Sequence, residues 1–486
     1  MNFSANSRPN ADPKAAKSSA NDEFDIIIIG AGQGAALARM LCEAGQRVAL
    51  IERETVGGSC VNRGCTPTKA HLAAAKRAQD ARTAHALGVE IPAVRVDLRA
   101  VVARSRGIVE EFRGEIREKL ARFDTLELVF SEASFVDAQT VAVRNPNGVR
   151  HLHGQKIVVA TGTRAQIPPI SGLEEIEWLD HRSMLQLEEI PEKLLILGGG
   201  YIACEFAQMF SRFGAQVCIA QRAPQLLTRE DRDIADEIAA LLRAEKIEIR
   251  LDCEVKSVEK TPRGLLAHLE NGETIAASHL LLAIGQVPNT DALHLGAAGV
   301  KCDERGFILT DDFLCAAPGI WALGDVKGGP AFTHIAYDDA RILAGVLLGQ
   351  PAHSIRDRSV PSCVFTDPQL GRIGLTEKEA RERGLEIRLA KLACSETARG
   401  IESGETGGFL KAIVEAESGQ ILGGAFLCRD GGEIIAVLQM AMQAKLPYTA
   451  LRDGIFAHPT FAESLNNLFL AMERAERAQE CPDCLK

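Results

Sequence analysis

A chain of 486 residues with 65 acidic against 55 basic side chains, and a formal net charge of −10, is a poor partner for nucleic acid. Hydrophobic residues make up 46%, enough to bury sizeable cores, yet no apolar run is long enough to cross a bilayer. Thirteen cysteines with no secretory signal ahead of them point to a reducing, cytoplasmic compartment, where a disulfide is more often catalytic than structural.

Residues 1–22 are polar and rich in Pro, Ser and Asn, and are expected to be disordered. The run FDIIIIG, Phe24 to Gly30, then predicts a buried parallel strand. GAGQGA places Gly30, Gly32 and Ala35 in the G-x-G-x-x-G/A spacing ahead of a helix, and a second strand, RVALIE, ends at Glu52. In such a unit the first glycine makes the tight turn and the second lets backbone amides approach a pyrophosphate. The small third residue lets helix and strand pack, and the acid accepts hydrogen bonds from ribose hydroxyls.

GGSCVNRGCTPTK follows, from Gly57 to Lys69, with Cys60 and Cys65 separated by four residues where a loop runs into an alanine-rich helix. A helix N-terminus favours negative charge and lowers a thiol pKa. Two thiols one turn apart on a single helix face are able to close into a disulfide. The expectation is a redox-active ring that stores electrons.

Between Val89 and about Val143 a long charged helix around RGIVEEFRGEIREKLARF is mixed with short strands. HGQKIVVATGT predicts a strand stopping at Thr161-Gly162, a turn small enough to pass close to a cofactor. EKLLILGGGYIACEF repeats the first theme with Gly198, Gly200 and Ala203, but the strand QVCIAQR ends in Gln221 and Arg222. A missing acid accompanied by Arg222 and Arg229 suits a 2′-phosphate, hence NADPH, with NADH as the less favoured nucleotide. Two such units imply two dinucleotides, of which one can be a bound flavin and the other a dissociable nicotinamide.

Further on, HLLLAIGQVPNT reaches a glycine turn at Gly285, and GIWALGDVKGG ends a strand at Gly324-Asp325, where an acid is placed to reach sugar or ribityl hydroxyls. Beyond Pro361 the pattern becomes antiparallel strands plus an apolar helix, an α+β unit suited to pairing subunits. His458 and Glu463 stand five residues apart, as in a proton-handling pair whose carboxylate orients the imidazole. The C-terminal AERAQECPDCLK carries Cys481 and Cys484, a C-x-x-C able to pass electrons to the first pair or receive metal from it.

Taken in order from Phe24 to Phe469, these motifs resemble the pyridine nucleotide–disulfide oxidoreductases, the family of dihydrolipoyl dehydrogenase, glutathione reductase and mercuric reductase. CVNRGC and HPT are the most specific of them. The resemblance implies an α/β fold of two Rossmann-like domains, for FAD and for NAD(P), with a C-terminal α+β dimerisation domain. Its divisions would be FAD-binding at 23–166 and 288–355, NAD(P)-binding at 167–287, dimerisation at 356–472 and a tail at 473–486. FAD would be held by Gly30, Gly32, Ala35, Glu52, Gly58, Lys69, Thr161, Gly162 and Asp325. NAD(P)H would lie on Gly198, Gly200 and Ala203, near Glu205, Arg222 and Gly285.

By the same resemblance Cys65 faces the flavin, Cys60 meets substrate, and His458 with Glu463 comes from the other subunit of a homodimer. No resident metal is implied. GGSCVNRGCTPTK and a C-terminal cysteine pair look like the mercuric reductase branch, whereas His458 is the disulfide-reductase version. The expected activity is electron transfer from NADPH through Cys60–Cys65 to a disulfide or a soft metal ion. An NAD-linked dihydrolipoyl dehydrogenase and a flavin-bearing redox sensor are the alternatives.

Overall fold

The computed structural model describes residues 22–480 apart from 146–147, so the expectations for the N-terminal extension and for Cys481 and Cys484 lie outside the described residues. The first sheet forms around the strand Glu23–Ile29, which pairs in parallel with Val48–Glu52 on one side and with Gly148–Val159 on the other. Ile26 and Ile28 point into one core and Ile27 and Ile29 into a second, all at most 4% exposed. Burial on both faces is why this strand reads as an unbroken apolar run rather than an alternation.

A second, four-stranded parallel sheet repeats the plan with Lys193–Leu197 between Gln216–Ala220 and His279–Leu282. Its two faces are again separate cores, with Leu194 and Ile196 on one side and Leu195 and Leu197 on the other. The third unit is a five-stranded antiparallel sheet running from Ser362–Val364 to Ile387–Ala393, packed against the helix Gly431–Gln443. Two strands are shorter than their sequence suggests, ending at Val159 and Leu282 instead of running on to their glycine turns.

The three units share one interior. The core of the second sheet takes in Ala75, Leu98 and Val102 from the first unit and Leu370, Phe409 and Leu427 from the third. Buried Arg212 adds a polar tie, bonding Glu245 at 2.7 Å and Asp367 of the third unit at 2.8 Å. Breaking such a pair from one side leaves an uncompensated buried charge, so its geometry resists relative movement of the units. Among the described residues, no helix is long and apolar enough to cross a membrane.

Candidate active site

Each Rossmann unit turns from strand to helix at a glycine with positive φ. Gly30 (φ +111°) donates its N–H to Ile51 at 2.7 Å, and Gly198 (φ +106°) donates to Ala220 at 2.9 Å. A Cβ at Gly30 would sit 2.3 Å from the Ala160 carbonyl oxygen, and one at Gly198 would sit 2.4 Å from that of Ala283. Both turns are thus wedged between strand ends where no larger residue fits. Glu52 braces the first turn, its carboxylate accepting N–H bonds from Ala31 and Glu54, each at 2.9 Å. Burial pushes its pKa up against those bonds. In the second unit the same place is held by Gln221, whose amide donates to the Gln225 carbonyl at 3.2 Å. Arg222 and Arg229 are exposed there and make no ion pair among the described residues.

The two cysteines do not share one helical face, contrary to the reading from spacing. Cys60 lies in a short helix, Gly58–Arg63, and Cys65 opens a separate one, Cys65–Thr83. The break is at Gly64, where a Cβ would meet the Ser59 carbonyl oxygen at 2.9 Å. The loop is held by Asn62, whose Nδ2 donates to the carbonyls of Val56 and Gly58 and whose Oδ1 accepts from Arg113 Nε, all at 2.9 Å.

Cys60 and Cys65 are free thiols in direct contact. The hydrogen bond from Cys60, then the Thr333 hydroxyl and the Lys69 ammonium, bring the Cys65 thiol down to about 6 against the opposing effect of burial. The same contact, with burial, pushes Cys60 upward. Near neutrality the pair is therefore one thiolate, on Cys65, beside one thiol. Thr333 lies 268 residues away in sequence, with its Oγ1 3.4 Å from Cys65 Sγ, and nothing local in the sequence marks it. In the reduced protein, thiolate absorbance should appear with an apparent pKa near 6. Thr333→Val should raise that value by roughly one unit, the worth of a hydrogen bond to a charged group. A midpoint near the ordinary 9.0 in the unaltered protein would contradict the geometry.

Lys69, one turn further along the helix, bonds Glu205 at 2.8 Å, and the Phe365 N–H donates to the same carboxylate at 3.0 Å. The Phe365 ring lies 4.4 Å beneath the ammonium. One carboxylate thus joins all three units at the floor of a cleft of about 1330 Å³. The cleft is lined by Gly30, Gly32, Glu52, Gly58, Cys60, Cys65, Lys69, Thr161, Gly162, Glu205 and Asp325, as well as by Thr333, Tyr201 and Phe365, which sequence reasoning missed. Ala35 and Ala203 are buried under their helices. Gly198, Gly200, Arg222 and Gly285 are not among the lining residues, and neither are His458 and Glu463. The last two do form a pair, with His458 Nδ1 at 2.9 and 3.0 Å from the two Glu463 oxygens, but the imidazole is 66% exposed. Among the described residues, no group of three or more His, Cys, Asp or Glu side chains is arranged to hold a metal ion.

Residues 24–340 match the family model for pyridine nucleotide-disulphide oxidoreductases, and residues 360–469 match the model for their dimerisation domain. The chain belongs to this family. It is an NAD(P)H-dependent flavoprotein oxidoreductase. It is 39% identical to the probable pyridine nucleotide-disulfide oxidoreductase RclA of Escherichia coli, over 92% of this chain and 99% of that one. Mercuric reductase of Staphylococcus aureus is 32% identical over 94% of this chain and 84% of its own length. Dihydrolipoyl dehydrogenase of Geobacillus stearothermophilus is also 32% identical, over 95% and 97%. A solved Cu(II) complex of E. coli RclA, described as an HOCl-induced flavoprotein disulfide reductase, superposes with a TM-score of 0.85 over 92% of this chain and 99% of that one.

The cleft of this oxidoreductase fits FAD. Gly58 (φ +61°) lies so close to the first glycine turn that a Cβ on it would be 2.6 Å from Gly32 Cα, leaving backbone alone facing the cavity. Thr161 Oγ1 is buried on the cleft wall without a hydrogen-bond partner among the described residues. Burial raises the Asp325 pKa, with Lys327 and Thr163 opposing it. A polyhydroxylated dinucleotide supplies the donors and acceptors these groups lack.

Proposed function

We propose that this enzyme carries electrons from NADPH through the Cys60–Cys65 pair to a soft metal ion or a disulfide, as a homodimer with composite active sites. The observation that carries the reading is the stabilised thiolate at Cys65, next to a protonated Cys60, on the wall of a cleft large enough for a dinucleotide. FAD, when bound, supplies the two-electron link between the nicotinamide and the cysteines. Two electrons and one proton open the Cys60–Cys65 bond to leave the Cys65 thiolate and the Cys60 thiol.

With a disulfide acceptor, the imidazole of the partner subunit's His458 takes the Cys60 proton, and the Cys60 thiolate attacks one substrate sulfur. The departing thiolate receives that proton. Cys65 then attacks the Cys60 sulfur, which re-forms the ring and expels the second thiolate. With a metal acceptor, Cys60 gives up its proton to solvent as the ion displaces it, both sulfurs bind as thiolates, and the two electrons released as the disulfide closes reduce one Hg(II) to Hg(0) or two Cu(II) to two Cu(I). Names among the relatives favour the metal: four are mercuric reductases, and RclA is solved as a Cu(II) complex. The dimerisation domain, with Met440, Leu446, Ile455 and Leu470 exposed on its unit, supports pairing of two chains. A cytoplasmic setting agrees with cysteines that must stay reduced between turnovers.

The test is steady-state NADPH oxidation with Cu(II), Hg(II), lipoamide and glutathione disulfide as separate acceptors. Turnover with none of the four would remove the proposal. Nucleotide choice is a separate expectation. Gln221 and exposed Arg222 favour the 2′-phosphate, so Gln221→Glu should move the NADPH/NADH ratio of kcat/KM toward NADH by roughly tenfold or more, since a carboxylate there bonds ribose hydroxyls and repels phosphate. An unchanged ratio would show that specificity lies elsewhere.

A further inference from the structure

One stretch of the cleft wall carries positive charge that neither the dithiol chemistry nor the glycine turns use. Arg53, Arg63 and Arg182 line it, with His181 alongside. Their carboxylate neighbours are already engaged. Glu54 is shared between Arg63 and Arg53, the latter at 3.5 Å. Asp180 caps its own turn, with Oδ1 accepting N–H bonds from Arg182 and Ser183, each at 2.9 Å, and the Ser183 hydroxyl at 3.2 Å. Arg182 Nε is buried with no hydrogen-bond partner among the described residues. The cations also disfavour one another. Arg63 is held below its ordinary value by burial and then by Arg182 and Arg53. His181 is held down by burial and, against the opposing pull of Asp180, by Arg182 and Arg63, so it stays a neutral neighbour.

Crowded guanidinium groups with an unused buried N–H, on a concave wall, are arranged for an anion with several acceptor oxygens. The same cleft holds the turn of Gly30, Gly32 and Gly58 and the ribose acceptor Glu52. The anionic part of a dinucleotide laid on those residues is its diphosphate. We propose that Arg63 and Arg182 are side-chain ligands of the FAD diphosphate, adding a charge clamp to the backbone amides of the glycine turn. This rests on the FAD reading of the cleft. It assigns Arg63 a cofactor-holding task although it stands inside the redox loop between Cys60 and Cys65.

The test uses purified holoenzyme and follows release of FAD after dilution by the recovery of free-flavin fluorescence, at low and high KCl. Arg63→Gln and Arg182→Gln should each speed release about tenfold, the scale of one charge-assisted hydrogen bond. The double variant should lose most of the salt dependence seen in the unaltered protein. Arg182→Lys, which keeps the charge, should recover much of the retention and serves as the second variant if the glutamine protein fails to fold. Equal release rates and equal salt slopes would overturn the clamp. Faster release that ignores salt and is not recovered by lysine would also overturn it, since that marks lost packing. An unaltered protein that purifies without flavin defeats the FAD reading itself. A flavin-bearing protein with unaffected variants defeats only the clamp.

Discussion

Cys65→Ser should lower acceptor-dependent NADPH oxidation by about three orders of magnitude or more, as expected when the nucleophile of a coupled pair is removed, and should leave FAD bound. The structure devotes a thiol, a hydroxyl and an ammonium to stabilising negative charge on this one sulfur. Serine keeps the volume but has no accessible anion and cannot close a disulfide. The turn of Gly30 and Gly32 and the carboxylate of Glu52, which line the cleft, are untouched, so flavin content should stay at one per chain. Anaerobic reductive titration is the decisive measurement. The unaltered protein should take up two electron pairs per flavin and expose two thiols, and the variant one pair. Uptake of a single pair by the unaltered protein would end the dithiol mechanism.

His458→Ala should reduce turnover with disulfide acceptors by roughly 10²–10⁴-fold, the range of a positioned general acid–base, and reduce metal-ion turnover much less. The reason lies in the stoichiometry of protons. Each disulfide reduced needs a proton delivered to a leaving thiolate, whereas a metal ion needs only electrons. Within one chain, His458 is paired with Glu463 at 2.9 Å yet is absent from the wall of the cleft that holds Cys60 and Cys65. If the pair serves the neighbouring subunit, mixed dimers have a distinct signature. Combining Cys65→Ser chains with His458→Ala chains should restore turnover, because one of the two sites in such a dimer has both groups intact. No recovery on mixing, with heterodimers verified by mass, would place the imidazole outside the shared site.

Much of this molecule was legible in one dimension because its key features are local. The runs DIIIIG and KLLILG read as buried parallel strands because apolar residues without alternation satisfy cores on both faces. Gly30 and Gly198 were readable because only glycine tolerates the positive φ and the carbonyl packed against it. The expectation of one helix face for both cysteines failed for a local reason too. Spacing reports residues per turn but does not reveal that Gly64 breaks the helix against the Ser59 carbonyl.

Sequence alone determined that this protein has two dinucleotide-type turns, a closely spaced cysteine pair and a histidine–glutamate pair, since each is written within a few residues of chain. Only the tertiary structure decided what holds the charge on Cys65. Thr333 arrives from 268 residues away, and Glu205 is joined to Lys69 by a 2.8 Å bond across two units. A thiol pKa depends on the charges and donors packed around it, and those are set by distance in space, which spacing along the chain does not record.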